Sequence, residues 1–213
     1  KNDIEFILGL DIASNVNEAA QRYYHLNGSK PKAMFLQFDT SKSIMRKQGC
    51  LGNSELCENM LDIIFNKTGT IPKEYRKIQK DYGGIAKQGF DIVSSQFSVH
   101  YYFKSEETLR GFCENIRDLC SSGGYFIGTC YDGNRVFDMF EKHSSDTVDM
   151  KDSMGSLIYQ IKKLYDIDSF DYKSGTLDEE SVMDLMVGKE IEVFMSSIGQ
   201  PQVEYLVNFN FFI

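Results

Sequence analysis

Two carboxylates, Asp11 and Asp39, each close a short apolar run, IEFILGL and AMFLQF. Such runs read as buried parallel strands, and the ligands of open α/β sheets bind beyond the carboxyl ends of those strands. An aspartate at the first position can accept hydrogen bonds from both hydroxyls of a ribose, and one a strand later can reach an adenine. The alternative is that each carboxylate caps the helix after it, which is the commoner role of an isolated aspartate. Two in this order shift the balance towards an adenosine cofactor. A third group follows the strand-like FDIVSS: Gln96, Phe97, Ser98, Val99, His100 and Tyr101 concentrate stacking and hydrogen-bonding groups where a ligand would lie. Packing accounts for them equally well, with Phe97 and Tyr101 closing the core and His100 satisfying a buried carbonyl. Glu204, in PQVEY, offers two acceptor atoms that suit the neighbouring N–H donors of a guanine; taken alone it reads as a solvated or helix-capping glutamate.

The elements that must hold these residues begin as strand, helix, strand, the mark of a parallel α/β sheet. Ser14 is placed to cap a helix over 15–26 that Asn27 and Gly28 stop. Helical spacing returns over 55–66, and repeated glycine and proline then make the stretch to Gln88 a connection carrying one or two helices. Ser105 caps the clearest helix, with Leu109, Phe112, Cys113, Ile116, Leu119 and Cys120 as its apolar face and Gly123-Gly124 as its C-cap. A strand over 125–130, a helix near 135–141 and a polar stretch to Ser156 follow. Alternation over 157–164 and 190–198 predicts antiparallel strands. The chain closes on an apolar segment over 205–213.

Composition sets the outer bounds. The 213 residues suffice for one domain with a substantial core, and no apolar run approaches bilayer thickness. Lys1 to Leu10 lacks the features of a signal peptide. Five cysteines, an odd count without a paired spacing, argue for a reducing compartment, and with no CxxC pair and no histidine near them they argue against a zinc site. A net charge of −8 disfavours gripping a long phosphate backbone. If RNA is handled, these residues should recognise a small feature at one end, with any general grip supplied from elsewhere. The basic cluster Lys73, Arg76, Lys77 and Lys80 is spaced as one helix face, a solvated surface or an RNA contact.

FDIVSSQFSVHYYF (90–103), followed by GGYFIGTCYDGNRVF (123–137), resembles the mRNA cap guanine-N7 methyltransferase family, whose pattern runs FDI, QF, HY, F, then a helix, then GGYFIGT. LGLDIA (8–13) is similar to the family's second strand and VEYLVNF (203–209) to its PEYLV segment. IPKEYRKIQKDYGG and YDGNRVF look like the versions in capping enzymes of large DNA viruses. The resemblance spans nearly the whole chain.

What the resemblance implies is specific. The fold would be a Rossmann-like S-adenosylmethionine-dependent methyltransferase, a mostly parallel sheet with antiparallel C-terminal strands. Asp11 would bind the ribose of S-adenosylmethionine and Asp39 its adenine. Gln96 and Tyr101 would line the methionine side. His100 and Glu204 would contact the cap guanine, Phe97 would shape its pocket, and Arg22 would touch cap phosphates. The reaction would methylate N7 of the guanine cap of 5′-capped RNA by in-line displacement, with positioning in place of a catalytic acid, base or metal. Residues 1–213 would form a single domain, an excerpt lacking the family's first strand with its Gly-rich loop and its C-terminal strand; loss of that first strand would leave a gap beside the Asp11 strand. RNA triphosphatase and guanylyltransferase domains would share the polypeptide, a stimulatory subunit is a further expected partner, and no membrane is involved. The location would be the cytoplasm, of the host or in the virion for a viral protein. Two other readings stay open: a non-catalytic methyltransferase-like RNA-binding or stimulatory subunit, and a nicotinamide-dependent oxidoreductase, against which Asp39, QFSVHY and the antiparallel C-terminal strands argue.

Overall fold

The computed structural model describes residues 4–27, 31–67, 69–167 and 179–209. In chain order its elements are β1 (Phe6–Asp11), α1 (Val16–Asn27), β2 (Lys32–Gln37), α2 (Ser54–Ile64), a 3-10 turn (Lys73–Tyr75), α3 (Arg76–Tyr82), β3 (Phe90–Gln96) and α4 (Val99–Tyr102). There follow α5 (Glu106–Leu119), β4 (Cys120–Thr129), α6 (Gly133–His143), β5 (Thr147–Lys151), β6 (Leu157–Lys163), α7 (Glu179–Met186), β7 (Glu190–Met195) and β8 (Gln202–Tyr205). The architecture is α/β, and the chain divides into two compact units, Lys1–Val93 with Arg110–Phe126 and Ser94–Leu109 with Ile127–Ile213.

In the first unit β1 and β2 pair in parallel, with Asp11 opposite Gln37, as two apolar runs joined by a helix require. Leu36 and Phe38 pack on α2 through Leu61, Ile63 and Ile64, and Phe6 stacks on Phe90 at 6.2 Å. Hydrogen bonding does not join β1 and β3: among the described residues β1–β2 and β3–β4 are separate two-stranded sheets. In the second unit β5, β6, β7 and β8 form one antiparallel sheet in sequence order. Ile161, Ile191 and Leu206 pack there on α6 through Val136, Phe137 and Phe140. Asp132 caps α6, its Oδ1 accepting from the amides of Asn134 and Arg135 at 3.0 and 3.3 Å, a device worth about 1 kcal/mol.

The structure corrects several expectations. Gly123 and Gly124 do not end the long helix, which stops at Leu119, and both lie inside β4. Gly123 takes φ +81 with open space around its missing Cβ, so the strand carries a left-handed residue without breaking. Cys113 is exposed rather than packed, because Asn115 is buried on the inward side of α5 beside Phe112 and Leu119. The polar stretch before Ser156 contains β5, an edge strand too polar to announce itself. Cys50 and Cys57 are joined in a disulfide, against the expectation of unpaired thiols; their Cα atoms lie 5.8 Å apart across the turn into α2, a proximity that sequence spacing does not reveal. Residues 210–213 of the apolar closing segment, and Gly28, lie outside the described residues. No helix among the described residues is long and apolar enough to cross a membrane.

Candidate functional site

The two aspartates stand at the carboxyl ends of adjacent parallel strands in the first unit. Asp11 is exposed, and its Oδ1 accepts from the Ala13 amide at 2.8 Å. Asp39 is half-buried, and its Oδ1 accepts from the amide and hydroxyl of Ser41 at 3.0 and 2.6 Å. Both therefore serve a local turn two residues on, through one oxygen each, and neither caps the helix after it, since α1 begins at Val16 and α2 at Ser54 behind Asn53. The other carboxylate oxygen makes no hydrogen bond among the described residues, so turn and ligand roles are compatible.

Asn115 fixes the loop after Asp39. Its Nδ2 donates to the carbonyls of Thr40 and Lys42 at 2.9 and 2.8 Å, and its Oδ1 accepts from the Ile44 amide at 2.9 Å. One turn earlier, Gly111 lets the loop backbone approach: a Cβ there would stand 1.9 Å from the Ser41 carbonyl oxygen. On the other side the Asp39 amide donates to the Gly49 carbonyl at 2.8 Å. Arg22 lies on the exposed side of α1 with Gln21, His25 and Leu26. It makes no contact with either aspartate among the described bonds.

The second unit gathers Gln96, Phe97, His100, Tyr101 and Glu204. Gln96 closes β3, and its Oε1 accepts from the Thr129 hydroxyl at 2.9 Å. The next residue, Phe97, takes φ 53, a left-handed conformation unusual for a bulky side chain, while its ring is 75% exposed. Its amide donates to the Thr129 carbonyl at 2.8 Å, holding the kink in place. The single turn α4 is anchored by buried Val99, and Phe103 just beyond it is buried as well. His100 is thereby carried inward, whereas Tyr101 is half-exposed and donates its hydroxyl to Gln202 Oε1 at 3.2 Å.

Glu204 comes from β8, where it pairs with Ile191 of β7. Its Oε1 lies 3.6 Å from His100 Nε2, and the side chains are only 9% and 6% exposed. Burial pushes the Glu204 carboxyl up to about 7 and the His100 imidazole down to about 4. His100 is therefore neutral at pH 7, and the contact is not an ion pair. Neither ring nitrogen of His100 has a hydrogen-bond partner among the described residues. A buried imidazole without partners is costly, and a polar ligand would satisfy it. Tyr101, Tyr131 and Tyr159 surround the carboxylate closely enough that each phenol is raised, by burial first and by Glu204 second.

Three residues of this arrangement escaped the sequence reading. Thr129 ties Gln96 to Phe97. Gln202 holds Tyr101. Tyr131 stacks on His100 at 5.3 Å and donates its hydroxyl to the Tyr205 carbonyl. The motif segments that flag the site contain all three, but only pairing in space distinguishes them from framework. Among the described residues no three His, Cys, Asp or Glu side chains converge as metal ligands would.

The chain is 28% identical over 162 residues to an mRNA cap guanine-N(7) methyltransferase of Candida albicans, an alignment covering 74% of this chain and 30% of that protein. It is 24% identical over 217 residues to a probable mRNA-capping enzyme of Acanthamoeba polyphaga mimivirus, covering 96% of this chain and 16% of that protein. With the methyltransferase of Lodderomyces elongisporus it shares 33% identity over 130 residues, 60% of this chain and 20% of that one. The chain thus spans less than a third of each of these relatives. The model of the mRNA (guanine-N(7))-methyltransferase domain matches residues 1–212, and the chain belongs to that family.

Proposed function

We propose that this chain transfers a methyl group from S-adenosylmethionine to N7 of the guanine cap of 5′-capped RNA. The observation that carries the reading is the buried, mutually adjacent His100 and Glu204, with unsatisfied imidazole nitrogens, beside the strained and exposed Phe97. A carboxylate accepts from the two neighbouring N–H groups of guanine's Watson–Crick edge, and no other base presents that pair of donors to a single carboxylate. The imidazole supplies one donor and one acceptor for the remaining polar atoms. Phe97 offers a stacking face, and its kink aims that face outward.

Asp11 and Asp39 hold the ribose and adenine of S-adenosylmethionine through their second carboxylate oxygens. Gln96 and Tyr101 line its methionine side, and Arg22 meets the cap phosphates. S-adenosylmethionine supplies an activated methyl on a sulfonium. The guanine N7 lone pair is available at neutral pH, so the protein needs neither a general base nor a metal; proximity and alignment supply most of the acceleration. As positive charge grows on the guanine, a Glu204 carboxylate in a site of low dielectric favours it. In this reading residues 1–213 act as a single methyltransferase domain of Rossmann-like plan, and the parent polypeptide carries triphosphatase and guanylyltransferase domains or works with a stimulatory subunit, in the cytoplasm of a host or in a virion.

The test is methyl transfer by the full-length protein to GpppA-capped RNA, with digestion to identify 7-methylguanosine. Product from capped RNA, and none from uncapped RNA, supports the reading. S-adenosylmethionine binding without transfer would instead favour a non-catalytic, RNA-binding or stimulatory role.

A further inference from the structure

The 3-10 turn Lys73–Tyr75 and α3 place Lys73, Arg76, Lys77 and Lys80 at i, i+3, i+4 and i+7, one stripe along a continuous helical segment. The opposite face is accounted for, because Tyr75, Ile78 and Tyr82 pack on the core of the first unit. All four cations are exposed, and none makes an ion pair or side-chain hydrogen bond among the described residues. Several other cations of the same unit are engaged although, among the described residues, Arg22 and Lys87 are not. Arg46 meets Glu114 at 3.0 Å, Lys47 meets Asp62 at 2.8 Å, and Arg117 meets Asp118 at 2.9 Å. Lys32 donates to the Asp81 carbonyl and lies over the Tyr82 ring. The segment's own acids, Glu74 and Asp81, flank one edge of the stripe, three residues before and four residues after Lys77, and offset part of its charge there.

We propose that this stripe binds the phosphate backbone of the RNA that follows the cap, a partner that rests on the capped-RNA reading above. The net charge of −8 sets the mean charge of the chain, not its local field. Four cations without ion pairs, against two flanking acids, leave a net positive ridge along about 10 Å of helix on an acidic protein, and a run of regularly spaced phosphates complements it. Such contacts read no sequence, which suits an enzyme whose recognition is confined to the terminal nucleotide.

The experiment uses the full-length protein and the variant Lys73→Gln/Arg76→Gln/Lys77→Gln/Lys80→Gln. Binding of a fluorescent 20-nucleotide uncapped RNA is measured against salt, alongside methyl transfer to the GpppA dinucleotide. The variant is expected to lose at least about tenfold in RNA affinity near 0.1 M salt, and the slope of log K against log salt should fall by about 3, or 0.7 per cation. Transfer to GpppA should be unchanged. Glu74→Gln/Asp81→Asn should move affinity the other way, which a folding defect would not do. Unaltered RNA affinity and slope in the fourfold variant would overturn the proposal. So would loss of binding to phosphatidylserine vesicles with RNA binding intact, which assigns the stripe to a membrane surface. If the wild type methylates no GpppA yet the variant still loses RNA, the cap reading fails and the RNA surface stands.

Discussion

His100 Nε2 stands 3.6 Å from Glu204 Oε1 with both side chains almost wholly removed from solvent. At that distance the two groups touch without a hydrogen bond, and burial displaces both in the direction of neutrality. The pair is poised for something that satisfies both at once.

Glu204→Gln separates the cost of the carboxylate from its use. The folded-state Glu204 value, about 7, lies above the ordinary 4.5, so its favourable contribution is complete below about pH 4.5 and is lost as pH rises through 7. The variant lacks that loss. Its melting temperature should exceed that of the wild type at pH 8 and converge with it near pH 4. Its kcat/KM on capped RNA should fall about 100-fold, because an amide cannot accept from both guanine donors. In the wild type, kcat/KM should rise with pH through a midpoint near 7 as the carboxylate forms. Equal melting curves at pH 8, or a flat acid limb, would remove Glu204 from the role given to it.

His100 runs the opposite way. Its folded value, about 4, lies below the ordinary 6.5, so the stability it gives is complete above pH 6.5 and is lost as pH falls through 4. Between 4.5 and 6.5 the two slopes oppose each other and the wild type should show little pH dependence from this pair. His100→Asn should steepen the loss with rising pH by leaving the Glu204 limb alone, which thermal melts at several pH values would reveal.

Asn115 makes three hydrogen bonds to the loop after Asp39, one buried and two part-buried, and that is the kind of role a sequence hides. Asn115→Ala should cost about 2–3 kcal/mol, since it leaves buried backbone groups unpaired. Because the loop follows Asp39 directly, affinity for S-adenosylmethionine measured by calorimetry should fall even well below the melting temperature. Unchanged cofactor affinity in the folded variant would leave Asn115 with a structural role only.

The parts of the molecule that follow periodicity were legible in advance. The two parallel strands, the helix after Ser105 and the antiparallel C-terminal strands all carry runs that bury one face or both. The positions of Asp11 and Asp39 at strand ends were readable because each closes an apolar run. Asn115, Thr129, Gln202 and Tyr131 were not, because each acts through a partner distant in the chain. Cys50 and Cys57 show the same limit, since their spacing matches no metal or redox motif. The glycines of β4 misled because glycine after a helix usually ends it, and here the helix had already stopped at Leu119.

Phe97 joins strain to exposure. A bulky residue at φ 53 costs on the order of 1–3 kcal/mol, and a ring 75% exposed returns little of that through packing. Phe97→Gly removes the strain but adds chain entropy to the unfolded state, so its melting temperature should stay close to that of the wild type. The same change should raise KM for capped RNA about tenfold by removing the stacking face, within the 1–3 kcal/mol typical of a base on an aromatic ring. A drop of many degrees in melting temperature with KM unchanged would show instead that the ring is framework.

The Cys50–Cys57 bond closes a short loop at the start of α2, beside the Phe38–Cys50 bridge that backs Asp39. Closing a loop of this length is worth about 2 kcal/mol by its effect on the unfolded chain. In protein purified without reductant, iodoacetamide should modify Cys113, Cys120 and Cys130 after denaturation, and all five cysteines only after reduction. Reduction should lower the melting temperature by several degrees, and Cys50→Ser/Cys57→Ser should reproduce the shift and abolish its dependence on reductant. Labelling of five cysteines before reduction would mean that the thiols are unbonded in the purified protein. The loop beside Asp39 would then keep Asn115, the Gly49 carbonyl and the ion pairs of Arg46 and Lys47.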